Sequence, residues 1–411
     1  MNNKHYLPAL LLLAVSLSVH SETQKPWPPG MVDRFLLPLT FPDAEWSDDD
    51  FGEQIDPATQ ALLKKFQPRI YIAPGGLLPI DFYRDYLPNT VIKDDSGNII
   101  NQAPDRRYLK NIERNYGYYL DFQGEHITNT AVDLSDYTGA IYGRLYRETM
   151  NPPEGDSDAP PKQYLILKYS AVFSASGLPA KLPWYKDLGA SIAGDADNWH
   201  ELDIHGAIHI LVNEATLLPE ILLLAQHNHF RAYVIGKDIP AWGTDHQIMV
   251  CYAQRSNEPY PCPVGSTARA YRTVGNPGNF SYVLTGENAL WDGSEDVVFG
   301  AQAGAEEISY ELKFLPSRDP LYVSWIPLGD KMKILGLFDS FYREGPPGMD
   351  MNTFPELKKY TDITNFWYFT EGDTRAAQLF KETINGFDLG DTTPLLKYHS
   401  KKLWRALSDR E

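Results

Sequence analysis

The sequence predicts a mainly β fold: a β-sandwich with short peripheral helices and a small helical layer at the C-terminus. Aromatic residues, which favour strands, are abundant, with 25 Tyr, 18 Phe and 9 Trp among 411 residues. The 31 Pro and 30 Gly interrupt the chain at short intervals, as expected for many short strands joined by turns. Several segments also alternate apolar and polar residues with the period of two that marks a half-buried strand.

The first half of the chain contains clear signals for one helix and several strands. Asp56 is suited to cap a helix that begins at Pro57. The apolar side of that helix is formed by Ala61, Leu62 and Phe66. Strands are predicted at 69–72, 139–148 and 163–173, with a hairpin at 91–100 that turns at Ser96-Gly97.

The second half keeps the β pattern and becomes helical only near its end. Strand-like segments are predicted at 246–253, 268–274, 280–284, 296–301, 308–315 and 321–328. Helices are predicted at 374–385, with Gly386 as the C-cap, and at 394–407. These helices account for the expected C-terminal layer.

Four segments follow from this organisation: a signal peptide at 1–21, an extended lead-in at 22–52, a β-sandwich domain with a polar pocket at 53–345, and a partly helical extension at 346–411. Lys4 and His5 precede a short apolar run, and Ser21 provides a cleavage point. No cysteine follows the run for lipid attachment, and no later segment has the ~20 apolar residues needed to cross a bilayer. We therefore expect a periplasmic or secreted protein without a transmembrane anchor.

The chain is strongly acidic, with a formal charge of −17. Cleavage after Ser21 would remove Lys4 and no acid, which makes the mature charge −18. A protein of this charge repels nucleic-acid phosphate unless it carries a basic patch, and the sequence shows none. Nucleic acid is therefore not an expected partner.

The two cysteines, Cys251 and Cys262, are predicted to form one disulfide across a hairpin. The tip of that hairpin is expected near residues 257–259. The alternative is a pair of free thiols, which the predicted export disfavours. In a chain of this length one bridge acts as a local clip, because a large core stabilises itself.

Residues 194–231 contain half of the ten histidines beside acids and large apolar residues. The apolar positions 202, 204, 208 and 210 have strand periodicity, and the polar residues have the other parity. After a turn or short helix around Pro219, a second strand places a further polar set on one face. The residues of that other parity are Trp199, Glu201, Asp203, His205 and His209 on the first strand. The corresponding residues on the second strand are His227, His229, Arg231 and Tyr233.

Metal binding is the sharpest hypothesis for this segment. Asp195 and Asp197 can offer two oxygens to a cation, and His227 and His229 can offer two nitrogens. We hypothesise one divalent cation, whose identity the residues leave open. The alternative is that these are ordinary polar residues on a sheet face, and for His205 and His209 a structural role is the favoured interpretation.

Other residues of the segment are candidates for catalysis or ligand contact. Glu201 or His200 would act as a general base. Arg231 would grip an anionic ligand, although an ordinary surface ion pair is the alternative. Trp199 would add a ligand contact beside the predicted metal.

Three familiar catalytic motifs do not fit. His200 and His205 are five residues apart, so in a helix they would lie on different faces, unlike the pair of a zinc-protease helix. The tripeptide His-Asn-His at 227–229 matches only the name of a nuclease motif, whose residues are spread over a ββα unit. The acidic charge of the chain also opposes DNA binding. No G-x-S-x-G elbow, P-loop or dinucleotide glycine motif follows a strand.

Five short segments resemble known families: 69–71, 82–88, 164–169, 197–200 and 224–227. Over residues 66–235 the pattern resembles vacuolar-sorting-associated-like proteins with a Gly-Asp-Trp-Glu segment. It is also similar to necrosis-inducing toxins with a Gly-His-Arg-His-Asp-Trp-Glu heptapeptide. Both resemblances imply a β-sandwich, and the toxin resemblance implies a cation in a polar cavity.

The chain departs from the toxin heptapeptide at most of its positions. Gly194 and Trp199 match it in register. The two toxin histidines are replaced by acids, the aspartate by an amide and the glutamate by an imidazole, at Asp195, Asp197, Asn198 and His200. These groups can still bind a cation, but the charge at each position differs.

Two functional classes follow. As a hydrolase, the protein would use its cation to polarise a carbonyl or phosphoryl oxygen and to activate water. As a binding module without catalysis, it would hold a small molecule, a glycan or a lipid headgroup with help from the cation. Trp184 and Trp242 would then supply apolar contact. A purely structural role is the third possibility.

Overall fold

We describe the fold from a computed structural model. It describes residues 51–72, 75–94, 96–112, 118–124, 137–153, 159–176, 200–226, 229–239, 248–252, 257–261, 271–272, 306–324, 326, 328–329, 333–334, 338–339, 351 and 395–408. The predicted signal peptide and nearly all of the lead-in therefore lie outside the described residues, as do the predicted segments 280–284, 296–301 and 374–385.

Strands dominate this part of the chain. The helices are α1 (Pro57–Lys65), a π-helix (Phe82–Tyr86), a 3-10 turn (Leu87–Asn89), α2 (Arg106–Asn111), α3 (Pro320–Val323) and α4 (Leu395–Ser408). The strands are β1 (Arg69–Ile72), β2 (Thr90–Asp94), β3 (Ile99–Asn101), β4 (Tyr118–Phe122), β5 (Gly139–Met150), β6 (Lys162–Ser176), β7 (His200–Asn213), β8 (Leu218–Gln226), β9 (His229–Val234), β10 (Met249–Tyr252), β11 (Pro259–Pro261), β12 (Tyr271–Arg272), β13 (Glu306–Glu307), β14 (Tyr310–Lys313), β15 (Lys333–Ile334) and β16 (Phe338–Asp339).

A seven-stranded sheet organises the structure, in the order β12-β9-β8-β7-β6-β5-β14. Strands β5 to β9 are sequential antiparallel neighbours, whereas β14 joins β5 in parallel. From Tyr164 to Ser176 every described side chain of β6 is buried. A strand covered on both faces loses the apolar–polar alternation, and in β6 Leu165, Ile166 and Leu167 are consecutive apolar residues.

Both faces of the large sheet are covered. On one face, Leu167, Phe173 and Ile210 pack in the main core with Ile70 and Val250 of the four-stranded sheet β11-β10-β1-β13. Two sheets that share one core are the expected sandwich, and the mainly β fold class is confirmed. A second, smaller core fills the opposite face.

The second core joins the C-terminal helix to the sheet. Leu403 and Trp404 of α4 pack with Ile166, Leu211 and Leu223. These sheet residues have the opposite parity from the residues that enter the main core. The helical C-terminal layer is therefore present, and α4 agrees with the predicted helix at 394–407.

A three-stranded sheet, β3-β2-β4, extends the structure beside the π-helix. The predicted hairpin at 91–100 is formed by β2 and β3, and Gly97 takes the positive φ of 81° that its turn requires. Asp81 caps the π-helix by accepting hydrogen bonds from the backbone N–H groups of Tyr83 and Arg84. The predicted helix at α1 is likewise confirmed, with Asp56 as its cap.

Two local predictions were wrong. The segment 321–328 was expected to be a strand, but Pro320–Val323 forms helix α3, because Asp319 caps it and Pro320 suits the first helical turn. The turn expected near Pro219 lies at 214–217 instead. Pro219 belongs to β8, where a register shift between Leu211 and Val212 accommodates it.

Candidate functional site

The predicted site is described only in part. Asp195, Asp197, Trp199 and His227 lie outside the described residues. For three others the structure places the backbone alone: His200 on β7, and His229 and Arg231 on β9. Glu201 is the one member of the predicted metal, catalytic and ligand-binding sets whose side chain is described.

The sheet register separates the backbones of His200 and His229. His229 pairs with Gln226, two residues beyond the last pair of β7 with β8, Ile208 with Leu224. His200 lies eight residues beyond Ile208, so an extended strand places it roughly 20 Å farther along the sheet than His229. Leu202, with φ of 49°, interrupts that extension. One site built from both histidines therefore stays a prediction.

Glu201 anchors β7 to neighbouring elements. Its Oε1 accepts a hydrogen bond from the Tyr86 hydroxyl at 2.6 Å and another from the backbone N–H of Phe122 at 2.5 Å. Tyr86 ends the π-helix, and Phe122 ends β4. The carboxylate thus ties the large sheet to two elements that lie far away in sequence.

Close packing restrains the same carboxylate. The rings of Tyr86 and Phe122 stack with centroids 4.9 Å apart. Gly329 packs so closely that an added Cβ would lie 2.6 Å from the Cβ of Glu201 and 3.5 Å from its Oε2. Gly329 also has a φ of 68°, so this position requires glycine for two reasons.

Burial and the charge of Glu201 keep Tyr86 protonated. Burial first, and then the charge of Glu201, raises the pKa of Tyr86 well above its usual value. The phenol therefore remains a neutral donor to the carboxylate. On β4, the neighbouring Asp121 is paired with Lys93 and accepts a hydrogen bond from Gln123 at 2.5 Å.

A second group of buried acids fixes the π-helix. Asp81 pairs with Lys313 at 2.5 Å and accepts a hydrogen bond from the Tyr142 hydroxyl at 3.1 Å. Asp85 pairs with Arg84, whose Nε lies 2.6 Å from Oδ1. Each carboxylate is matched by a cation, which is the arrangement of a structural network.

The other histidines of the segment are described unevenly. His209 is fully buried in β7, directly opposite the buried Lys168 of β6. The side chain of His205 is not described. Burial of His209 inside the sheet is consistent with the structural role that was favoured for it.

The predicted cysteine hairpin exists as β10 and β11, which pair antiparallel, with Cys251 opposite Tyr260. Cys251 is buried. Cys262 lies outside the described residues, so its pairing with Cys251 stays a prediction.

Within the described residues, no group of three or more His, Cys, Asp or Glu side chains is arranged to hold a metal ion. The predicted metal ligands have no described side chains, so the divalent cation stays a prediction. In the same part of the chain, no helix has the length and apolar character of a membrane span.

Sequence reasoning missed the residues that fix Glu201. Tyr86, Phe122 and Gly329 are separated from it by about a hundred residues, and no local pattern links such positions. Gly329 carried a weak signal, because a glycine after an apolar run often marks a close approach of the backbone. Only the folded structure shows that Glu201 is the residue that Gly329 approaches.

No protein-family model matches the chain, and no curated protein matches it either. Two solved structures show a distant similarity. One is necrosis and ethylene inducing protein 2 from the causal agent of cocoa's witches' broom disease, 14% identical, with 51% of this chain and 68% of that chain covered and a TM-score of 0.24. The other was described as a toxin fold used in microbial attack and plant defense, 15% identical, with coverages of 53% and 74% and a TM-score of 0.25.

One of these neighbours is a necrosis-inducing protein, the class whose heptapeptide was compared with residues 194–200 of this chain. Neither neighbour is a vacuolar-sorting-associated protein. The vacuolar-sorting resemblance is therefore unsupported. TM-scores of this size show too little shared geometry to transfer a function.

Proposed function

We propose that this protein is a binding module that holds a polar headgroup or a sugar, and that Glu201 is not a catalytic base. The observation that carries the proposal is the engagement of Glu201 Oε1 by the Tyr86 hydroxyl and the Phe122 N–H. A general base needs an oxygen directed at the proton that it removes. In Glu201 the described contacts of the carboxylate are directed at the protein itself.

The surrounding acids support a structural interpretation. Asp81, Asp85 and Asp121 are buried and paired with cations. Their charges are therefore already matched within the fold. The groups expected to contact a ligand are those of the predicted set: Asp195, Asp197, Trp199, His227, His229 and Arg231.

The chemistry of that set favours oxygen-rich ligands. Carboxylates and imidazoles hold a divalent cation, and the cation in turn binds phosphate or sugar oxygens. Arg231 adds a planar donor for an anionic oxygen. Export to the periplasm or the medium, also part of this proposal, would expose the protein to such headgroups and glycans.

The test compares two substitutions at Glu201. Glu201→Gln keeps an oxygen that can accept both hydrogen bonds but cannot act as a base, whereas Glu201→Ala removes the anchor. Binding is measured to phosphatidylcholine vesicles with and without a glycosylated lipid, and to the free sugar, with Ca²⁺ or with a chelator. We expect Glu201→Gln to bind as the wild type does, and His229→Ala to bind about tenfold more weakly.

The same proteins are assayed with ester, phosphodiester and glycoside substrates. We expect no turnover by any of them. The proposal would be wrong if the wild type turned over a substrate and Glu201→Gln lost about a hundredfold or more of that rate while remaining folded. It would also be wrong if no vesicle or sugar bound.

A further inference from the structure

The hairpin between β7 and β8 exposes two leucines in succession at its tip. Leu217 and Leu218 are half-exposed, whereas the described leucine, isoleucine and valine side chains of β7 are all buried. Residues 215–219, which we call the leucine tip, read Ala-Thr-Leu-Leu-Pro and include no charged residue. Transfer of these side chains out of water would therefore be favourable.

Every backbone N–H group of the leucine tip has an acceptor within the hairpin. The N–H groups of Ala215 and Thr216 donate to Asn213 Oδ1 at 3.0 and 3.4 Å. The N–H of Leu217 donates to the Asn213 carbonyl at 2.8 Å, and that of Leu218 donates to the Thr216 hydroxyl at 3.3 Å. The proline that follows has no N–H. The tip can therefore enter an apolar medium without leaving a backbone donor unsatisfied.

Leu217 has an unusual backbone conformation for an exposed leucine. Its φ of 54° lies in the left-handed region, which glycine and asparagine adopt more readily. Strain of this kind is concentrated at positions that contact ligands or partners. Here the strained residue closes the turn through its bond to Asn213 and belongs to neither of the two apolar cores. The conformation therefore serves the tip and not the interior.

The acids on either side of the leucine tip are engaged within the fold. Glu214 pairs with Arg147 at 3.1 Å. Glu220 accepts hydrogen bonds from the Tyr164 hydroxyl and from Asn213 Nδ2, the latter at 3.2 Å. The whole chain has a formal charge of −17, so an anionic surface would repel it. An apolar surface without net charge suits the tip better.

The other exposed apolar pair lacks these features. Ile99 and Ile100 are exposed to a similar degree. They lie on β3, which among the described strands is an edge that pairs with β2 alone. Entry into an apolar medium would strip water from the outer backbone groups of β3. The leucine tip is therefore the better suited of the two hairpins.

We propose that the leucine tip docks the protein reversibly onto an electroneutral phospholipid bilayer, with Leu217 and Leu218 at the boundary between headgroups and acyl chains. At this depth the carbonyl oxygens of the turn can keep their water. A protein partner would offer acceptors to N–H groups, whereas this tip satisfies its own, which favours lipid. Two half-exposed leucines give weak anchoring, so the contact is reversible.

The leucine tip is separate from the predicted cation site. Strand β8 runs from Leu218 at the tip to Gln226, which pairs with His229. An extended strand of this length spans roughly 25 Å. Docking by the tip uses none of the groups of the proposed function and needs no cation. The two proposals can therefore be tested, and can fail, separately.

The test is flotation of the full chain with phosphatidylcholine vesicles in the presence of a chelator, which removes cation-dependent headgroup binding. We expect Leu217→Asn and Leu218→Asn each to weaken vesicle binding about five- to tenfold, and the double variant about tenfold to a hundredfold. Leu218→Trp should bind at least as tightly as the wild type, because tryptophan favours the membrane interface. Phosphatidylserine added to the vesicles should weaken binding of the wild type.

Two controls separate the leucine tip from other surfaces. The double variant Ile99→Asn, Ile100→Asn removes a matched exposed apolar pair and should bind vesicles as the wild type does. His229→Ala should also bind like the wild type while the chelator is present. A loss of calcium-dependent binding with the chelator-resistant binding intact would contradict the proposed function alone.

The docking proposal fails if the wild type does not bind the vesicles in chelator, or if the folded double leucine variant binds as tightly as the wild type. Equal loss in the Ile99→Asn, Ile100→Asn variant would also overturn it, because binding would then be a general response to exposed apolar groups. Circular dichroism verifies the fold of each variant. If the double variant does not fold, Leu217→Asn decides alone, since asparagine suits the positive φ.

Discussion

Leu217 illustrates how a single residue can carry backbone strain without an evident packing benefit. It has φ of 54°, in the left-handed region, and its side chain is 44% exposed. For an L-residue other than glycine this conformation costs roughly 1–2 kcal/mol, and asparagine tolerates it better. We expect Leu217→Asn to raise the free energy of unfolding by about 0.5–1 kcal/mol, measured by urea denaturation.

The neighbouring residue provides the control for this effect. Leu218 is similarly exposed, at 48%, but is not among the residues with positive φ. Leu218→Asn should therefore leave stability within about 0.5 kcal/mol of the wild type. Equal gains from both substitutions would show that removal of exposed apolar surface, and not relief of backbone strain, is responsible.

Glu201 is another single residue to which the sequence draws attention, although the sequence does not reveal its role. Strand periodicity predicts that Glu201 and Asp203 share one face, and in the sheet they pair with Ala175 and Phe173 of β6. It cannot show that Glu201 meets Tyr86, because that contact spans 115 residues. The interaction depends on how the sheets and the π-helix assemble, which local patterning does not encode.

Among the secondary-structure elements, those with a strong local signal were predicted well. The helix α1 has a cap and an initial proline, and β5 and β6 have long runs of strand-forming residues. The helix α3 was missed because its four residues, Pro-Leu-Tyr-Val, also suit a strand. Its cap residue, Asp319, decides the outcome.

Asp319 also connects three helices. Fully buried, it caps α3 through the Leu321 N–H at 2.9 Å, accepts a hydrogen bond from Tyr83 of the π-helix, and pairs with Arg106 of α2 at 2.6 Å. Its loss would leave the Arg106 charge partly buried without this partner. We expect Asp319→Ala to lower the free energy of unfolding by about 3–5 kcal/mol, measured by denaturant titration.

An exposed ion pair serves as the comparison for the buried pair of Asp319 with Arg106. Arg69 and Glu307 are joined by two hydrogen bonds, but both side chains are 42% exposed. Glu307→Ala should therefore cost less than about 1 kcal/mol. A cost for Asp319→Ala as small as that for Glu307→Ala would contradict the view that Asp319 holds the three helices together.

For the whole molecule, the sequence predicted the mainly β class but not how the C-terminal segment is used. The predicted boundary near residue 345 treats that segment as an extension, whereas α4 within it completes the second core. Composition and periodicity describe each segment separately. They do not indicate which face of which sheet a helix will cover, because β6 is buried on both faces.

A final prediction for the whole molecule concerns the second core. Leu403 is fully buried among Ile166, Leu211 and other residues that project from the large sheet. We expect Leu403→Ala to lower the free energy of unfolding by about 2–5 kcal/mol, because the deletion leaves a cavity. The exposed Lys401 lies on the same helix, and Lys401→Ala should change stability by less than about 0.5 kcal/mol. If α4 and the sheet fold together, circular dichroism and tryptophan fluorescence of Leu403→Ala will shift to the same lower urea midpoint. A midpoint equal to that of Lys401→Ala would mean that α4 does not stabilise the sandwich.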